Sequence, residues 1–154
     1  MKHVQRSVLL WYSPREMYDL VTGVQTYPAF LPWCEKAEVL EQHEGGMTAR
    51  LTLAKAGVRH AFTTRNTHEH PHQVTLALVD GPFSILEGCW RFVSVEQAGQ
   101  DADGEPKACR VAFDLRYAFS SAALESLVSP IFDRVASTLV DSFVMRAEQV
   151  YGTR

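Results

Sequence analysis

Histidines are concentrated in one short segment that has the residue types of a metal site. The run His68–His72 has the sequence HEHPH, so three imidazoles alternate with a carboxylate and a proline. Zinc is bound when four such ligands converge in a tetrahedron. Pro71 and the turn expected around it work against that convergence. We interpret the run as the polar end of a hairpin and predict no metal site.

Other catalytic chemistry is nearly absent from the chain. The sequence has no glycine-rich phosphate loop, no G-x-S-x-G nucleophile elbow and no H-E-x-x-H motif. Acid–base catalysis would need a carboxylate or a histidine directed into an apolar interior. His60 is the single candidate that we find, because it shares one face of its predicted strand with Phe62. A lone histidine there is more typical of a hydrogen-bonded core, so we predict no catalytic residue and no enzyme.

The composition predicts one ordinary globular domain, residues 1–154. The chain is 46% hydrophobic and 21% charged, and its formal charge of −3 gives no general attraction for DNA. The three cysteines, Cys34, Cys89 and Cys109, are odd in number and widely spaced, which predicts reduced structural thiols. No apolar run approaches the roughly 18 residues of a membrane span, and the N-terminus lacks a signal-like apolar core. We therefore expect a cytoplasmic protein.

One long amphipathic helix is predicted near the C-terminus. Apolar residues recur every three or four positions from Leu124 to Tyr151, with charged residues between them. Pro130 interrupts this pattern, because proline removes a backbone hydrogen bond inside a helix. The pattern leaves two possibilities. Either the helix is kinked at Pro130, or the main helix begins there.

The rest of the chain is dominated by the period-two pattern of strands. A first strand is predicted over Val4–Tyr12, followed by a short helix with Ser13 as its cap and Glu16 completing a capping box. Gly23 is predicted to end this helix in a left-handed conformation. From Glu35 onward the alternation predicts further strands. We expect an α+β fold, in which a curved antiparallel sheet of six to seven strands wraps around the long helix.

One face of the predicted sheet is apolar and too wide for a single helix to cover. A helix is about 10–12 Å across and strands lie nearly 5 Å apart, so a pocket is expected between sheet and helix, with a solid core as the alternative. The apolar face comprises Leu51, Leu53, Phe62, Leu76, Leu78, Leu86, Trp90, Phe92, Phe113, Leu115 and Tyr117.

Arginines fall on the opposite face of the same strands. Such a surface could bind RNA phosphates or lipid head groups. Glu87 and Asp114 share this face and would partly neutralise it, so a solvated surface with cross-strand pairs is the alternative that we favour. The arginines are Arg50, Arg59, Arg65, Arg91, Arg110 and Arg116.

Three motifs make the whole chain resemble a known family. The first is Tyr27–Cys34, with the sequence YPAFLPWC, which is stiffened by two prolines. The second is Gly81–Phe83 followed by Leu86 and Trp90, and the third lies within Phe143–Tyr151. Together they resemble the coenzyme Q-binding START-like family, part of the polyketide cyclase/dehydrase and lipid transport superfamily, which also includes bacterial ribosome association toxins. The resemblance implies a START-like or Bet v 1-like helix-grip fold.

The resemblance also implies an internal cavity for a hydrophobic ligand. Ubiquinone or a related prenylquinone would be the bound molecule, without any required cofactor, in support of respiration or quinone synthesis. The protein would then be bacterial and cytoplasmic, with peripheral contact at the inner membrane as a variant of this hypothesis. The residues expected to line the cavity are Phe30, Trp33, Leu53, Phe62, Leu78, Phe83, Trp90, Phe113, Tyr117, Val135 and Leu139.

Two other functions remain open within the same resemblance. A toxin-like protein would bind the large ribosomal subunit through the arginine face and block subunit association, although the acidic net charge counts against it. A polyketide cyclase or aromatase would use the same fold for catalysis. We favour the enzyme least, because no pair of polar residues is predicted to point inward.

Overall fold

A computed structural model describes all residues, 1–154, and shows seven strands, two α-helices and two short 3₁₀ segments. The 3₁₀ segments are Val24–Ala29 and Glu96–Ala98. The strands are β1 Lys2–Leu10, β2 Cys34–His43, β3 Gly46–Lys55, β4 Val58–Glu69, β5 Gln73–Asp80, β6 Phe83–Ser94 and β7 Cys109–Phe119; the helices are α1 Pro14–Thr22 and α2 Ala122–Tyr151.

All strands form one antiparallel sheet in the order β1-β7-β6-β5-β4-β3-β2. Consecutive strands from β2 to β7 are neighbours, and β1 adds to the far edge beside β7. The inner face carries the apolar residues predicted from the alternation, and these residues pack against α2 in one hydrophobic core. The predicted α+β helix-grip fold is confirmed.

The start of α1 is held by the capping box expected from the sequence. The Ser13 hydroxyl accepts a hydrogen bond from the Glu16 amide at 3.0 Å, and the Glu16 carboxylate accepts one from the Ser13 amide at 2.9 Å. The predicted left-handed end at Gly23 is wrong, because its φ is −76°. The chain continues directly into the 3₁₀ segment Val24–Ala29, which needs no left-handed residue.

Helix α2 is a single helix that includes Pro130 in its interior. Ser121 caps it, since its hydroxyl accepts a hydrogen bond from the Leu124 amide at 3.1 Å. The alternative in which the main helix begins at Pro130 is therefore wrong. The first turns of α2 also bury Val128, which is 1% exposed. Capping and burial offset the backbone hydrogen bond that the proline removes.

Polar contacts fix α2 to the β1–β7 edge of the inner face. Lys2 pairs with Asp133, and the Tyr117 hydroxyl donates to the same carboxylate at 2.5 Å. Arg6 pairs with Asp141 at 2.8 Å. These contacts occur where the inner face meets solvent, so ion pairs help to close this edge beside the half-buried Val4 and Val8.

The three cysteine thiols are free. Burial raises the pKa of Cys34 to about 11 and that of Cys109 to about 12, so both thiols stay protonated. Neither helix is long and apolar enough to cross a lipid bilayer.

Candidate functional site

A cavity lies between the inner face of the sheet and α2, near the middle of the sheet. Its volume is about 80 Å³, and 18 of its 21 lining residues are hydrophobic. Strands β3 to β7 supply one wall, and α2 supplies the opposite wall through Val135, Leu139 and neighbouring residues. The sequence left open whether the interior is a pocket or a solid core. The structure shows a small cavity.

The proline-stiffened segment closes one end of this cavity. Tyr27 and Trp33 line it, and the Tyr27 hydroxyl hydrogen-bonds to the Val21 carbonyl. The Tyr27 ring also packs edge-on against Phe143 of α2, with ring centroids 5.5 Å apart. Phe30 lies outside the cavity and is half-buried, and the Arg146 guanidinium is 5.2 Å from the centroid of its ring. The segment therefore acts as an aromatic end wall.

Six of the eleven predicted lining residues surround the cavity. They are Trp33, Phe62, Trp90, Phe113, Val135 and Leu139. The other five share the inner side of the fold but do not line the cavity; they are Phe30, Leu53, Leu78, Phe83 and Tyr117.

Packing explains why these five residues lie elsewhere. Phe83 stacks on Phe119 and packs against Phe132, with centroids 5.2 and 4.8 Å apart, so it fills the core beyond one end of the cavity. Tyr117 is engaged by Asp133. Leu53 is buried beside the start of β2, Leu78 is half-buried on β5, and Phe30 lies under Arg146.

Three polar residues in the cavity wall are not among the residues predicted to line it. Thr64, Asn66 and His68 lie on β4 at alternate positions after Phe62, and all three line the cavity. The Thr64 hydroxyl donates to Asn66 Oδ1 at 2.7 Å. Continuing the alternation of β4 past Phe62 would have identified them. Hydrophobicity alone does not assign these three polar residues to the inner face.

His60, the candidate for acid–base chemistry, lies at the other end of the same strand. It is half-buried on the inner face opposite Leu53 and does not line the cavity. The imidazole that lines the cavity is that of His68. Burial lowers the pKa of His68, and the neighbouring His43 lowers it further, so the ring is neutral at physiological pH. No side-chain hydrogen bond links His68 to a carboxylate that could orient it as a base.

The wall determines what the cavity can hold. No lining residue is an aspartate, glutamate, lysine or arginine, so a bound ion would have no partner of opposite charge. The volume of about 80 Å³ is enough for a few water molecules. A ring-sized ligand would have to displace wall side chains, since a cavity that admits benzene measures about 150 Å³.

No group of three or more metal-binding side chains converges anywhere in the structure. The HEHPH run is divided between the end of β4 and a tight turn, in which the His70–Pro71 peptide is cis. His70 packs edge-on against Tyr18, with ring centroids 4.8 Å apart.

All six predicted arginines lie on the outer face of the sheet, at positions that alternate with the inward residues. Two are paired with carboxylates: Arg50 with Glu38 at 2.9 Å, and Arg59 with Glu35 at 2.6 Å. The hydrogen bond from Arg50 holds the pKa of Glu38 below its usual range. This end of the outer face is therefore largely neutralised.

Three of the other four arginines have no carboxylate partner, and the fourth, Arg116, has only a distant one. Arg91 and Arg110 make only long hydrogen bonds of 3.3 Å, to Gln73 and Ser7, and Arg65 has no polar side-chain contact. Arg116 lies 4.0 Å from Asp114, a carboxylate that is engaged more closely by His3 at 2.9 Å. Arg91 and Arg116 flank a shallow groove across β1, β7 and β6. The outer face thus carries unpaired positive charge on this side.

Residues 10–144 match the family model described as polyketide cyclase/dehydrase and lipid transport. The chain belongs to this family. Within the polyketide cyclase/dehydrase and lipid transport family, it is 41% identical over 150 residues to the ribosome association toxin RatA of Pseudomonas aeruginosa, covering 97% of this chain and 98% of that protein. It is 32% identical over 147 residues to the mitochondrial coenzyme Q-binding protein COQ10 homolog B of Xenopus laevis, covering 95% of this chain and 58% of that protein.

Solved structures of the same fold extend the likeness. The Zhui aromatase/cyclase from Streptomyces sp. R1128 superposes with a TM-score of 0.79 at 16% identity, and 99% of both chains is covered. A START superfamily protein from Mycobacterium smegmatis gives a TM-score of 0.76 at 18% identity, covering 96% of this chain and 98% of the other. At such identities the likeness shows the fold alone. The START-like fold implied by the sequence motifs is confirmed.

Proposed function

We propose that this protein acts by noncatalytic association with the ribosome, through the outer face of its sheet. The expected contact is ribosomal RNA of the large subunit, and the expected consequence is blocked subunit association. This proposal places the protein in the cytoplasm. It reverses the preference drawn from the sequence, where ligand binding came first.

The relatives support this order. The alignment with the RatA toxin of Pseudomonas aeruginosa covers nearly the full length of both proteins. The persistence and stress-resistance toxin PasT of Escherichia coli is 38% identical over 154 residues, covering 92% of that protein. The coenzyme Q-binding relative is less similar, and the alignment covers 58% of it. The small volume of the cavity also weighs against a resident prenylquinone.

The observation that carries the proposal is the group of arginines without a carboxylate partner, Arg65, Arg91 and Arg110, beside Arg116, which has only a 4.0 Å contact to Asp114. Arginines that are free of carboxylates can release counterions from RNA phosphates without first breaking an ion pair. The net charge of −3 belongs to the whole chain, whereas Arg65, Arg91 and Arg110 form a local patch without ion-pair partners, although Glu87 and Asp114 share this face. Binding should therefore be local and dependent on salt.

Two double variants with the same loss of charge test this proposal. We expect Arg91→Gln/Arg110→Gln to weaken binding to large ribosomal subunits, measured by co-sedimentation, about ten- to a hundredfold at low salt. The slope of log affinity against log salt concentration should also fall by the amount that about two phosphate contacts contribute. The control Arg50→Gln/Arg59→Gln removes two arginines that are already paired and should bind nearly as the wild type does. Equal weakening by both doubles, or binding that is insensitive to salt, would contradict the proposal.

A second function is favoured by the cavity itself, namely binding of an apolar ligand such as a prenylquinone. The wall is almost entirely hydrophobic, and each buried CH₂ group of a prenyl tail contributes about 0.8 kcal/mol. The coenzyme Q-binding relative supports the same idea. The wall must open to admit such a ligand. No cofactor is required in this proposal.

Extraction distinguishes the second function from the first. The protein would be purified from a quinone-producing host and extracted with organic solvent, and the extract would be analysed by mass spectrometry. A prenylquinone at a stoichiometric ratio supports ligand binding, and the Arg91→Gln/Arg110→Gln variant should retain it. An empty extract from folded protein contradicts a resident quinone. We do not propose cyclase activity, because His68 has no carboxylate partner in the cavity.

A further inference from the structure

One nitrogen in the cavity wall has no hydrogen-bond partner in the protein. Nε2 of His68 is buried and unpaired, as is Nε2 of the neighbouring His43. Only His68 lines the cavity. Buried polar atoms without partners are uncommon in native proteins, since nothing compensates their lost hydration. Because His68 lines the cavity, a bound ligand can supply a partner for its Nε2 atom.

Asn66 provides a second polar group beside it. The residue is 5% exposed and lines the cavity. Its Oδ1 atom accepts the Thr64 hydroxyl, while its amide nitrogen makes no hydrogen bond to the protein. Asn66 and His68 are two positions apart on one face of β4, about 7 Å along the strand. One part of an otherwise apolar wall thus offers the amide N–H of Asn66 and, in the Nε2–H tautomer of the neutral ring, the N–H of His68, both without acceptors.

The charge of the wall limits the acceptor that these donors can serve. His68 is neutral because burial lowers its pKa. No lysine or arginine lines the cavity. A carboxylate or phosphate would be desolvated there without a cation, which costs far more than a neutral oxygen does. The matching group is an uncharged oxygen on an apolar molecule.

We propose that Asn66 and His68 form the polar recognition site of the cavity, and that they bind the carbonyl oxygen of a neutral, otherwise apolar ligand. This inference rests on the second proposed function, ligand binding in the cavity, and adds the class of ligand and the residues that select it. It excludes fatty-acid carboxylates and phosphorylated lipids as ligands of the cavity.

Three small probes of similar size and shape test this selection. Valerophenone and pentylbenzene differ only by a carbonyl in place of a CH₂ group, and 5-phenylpentanoate carries a charged carboxylate. Binding is followed through the fluorescence of Trp33 and Trp90, which both line the cavity. The measured quantity is the ratio of the ketone affinity to the hydrocarbon affinity. Comparing this ratio between variants cancels the different solubilities of the probes in water.

We expect His68→Leu to lower the ratio about tenfold, the value of one hydrogen bond, without weakening pentylbenzene. Asn66→Leu should lower it as well, and it provides an independent test if one variant folds poorly. His60→Leu is the matched control, an imidazole on the same face of β4 but outside the cavity, and should leave the ratio unchanged.

Several results would overturn the inference. They are a ratio within twofold of wild type in both His68→Leu and Asn66→Leu, an equal fall in His60→Leu, or tighter binding of 5-phenylpentanoate than of valerophenone. In each of these cases ligand binding itself survives. If none of the probes binds to folded wild-type protein, the second proposed function fails and the inference fails with it.

Discussion

The two faces of the sheet are built from the same strands but have opposite chemistry. On β4, Thr64, Asn66 and His68 face the neutral cavity, while Arg65, between Thr64 and Asn66, faces solvent. Alternation of side chains lets one strand serve both faces. The inner face has few polar atoms, so each unpaired one is costly and informative. The outer face has many charges, so the informative ones are those without partners.

The comparison predicts that stability depends on the inner face and not on the outer arginines. Phe143 is 2% exposed and packs against Tyr27, Phe30 and Trp90, with ring centroids 5.2 to 5.5 Å apart. We expect Phe143→Ala to lower the free energy of unfolding by about 3–5 kcal/mol. Urea unfolding, with the midpoint and slope compared with wild type, measures this.

The outer-face control is Arg116→Gln, a substitution at an exposed site. It should change the free energy of unfolding by no more than about 0.5 kcal/mol. The contrast between the two faces would break down if Arg116→Gln destabilised the protein as much as Phe143→Ala does. A small effect of Phe143→Ala would show instead that the cavity wall collapses to fill the space.

A smaller effect is expected where the inner face becomes polar. Tyr117 donates a 2.5 Å hydrogen bond to Asp133, which also pairs with Lys2. Tyr117→Phe should lower the free energy of unfolding by about 1–2 kcal/mol, because it leaves the carboxylate with one partner fewer. A double-mutant cycle with Asp133→Asn isolates this coupling. Additive effects of the two substitutions would show that the contact contributes nothing of its own.

The fold was largely predictable because alternation identifies strands and faces without knowledge of their pairing. Ser13 and Glu16 identified the start of α1 for a similar local reason. Pro130 was harder to interpret. A local rule makes it a helix break, but tertiary burial of Val128 and the cap at Ser121 keep the first turns of α2 in one helix. Tertiary contacts of this kind are not visible in a single sequence.

The sequence predicts which residues face inward, but it does not predict which of these residues line the cavity. Phe62 and Phe83 are both inward-facing aromatic residues, yet only Phe62 lines the cavity, because Phe119 and Phe132 pack around Phe83. The position at which α2 crosses the sheet decides which inward-facing residues line the cavity. No local sequence pattern encodes that position. The division of the arginines into paired and unpaired groups likewise depends on the β2–β3 register, which brings Glu38 beside Arg50.

The pH dependence of stability gives the smallest effect and probes the unpaired imidazole directly. Burial, and then the nearby His43, hold the pKa of His68 below its ordinary value of 6.5. In the unfolded chain that pKa returns to its ordinary value. Between the two values the unfolded state binds more protons, so the free energy of unfolding rises with pH in this window. We therefore expect stability to fall on acidification below about pH 7.

His68→Leu should flatten this part of the profile. The ring of Tyr18, 6.1 Å from that of His68, stays protonated throughout, since burial raises its pKa, so it adds no slope of its own. His43 is the other imidazole that neighbours His68. Thermal unfolding at a series of pH values measures the difference. An unchanged slope in His68→Leu would mean that His68 is hydrated in the folded protein, which would make water the partner of its Nε2 atom.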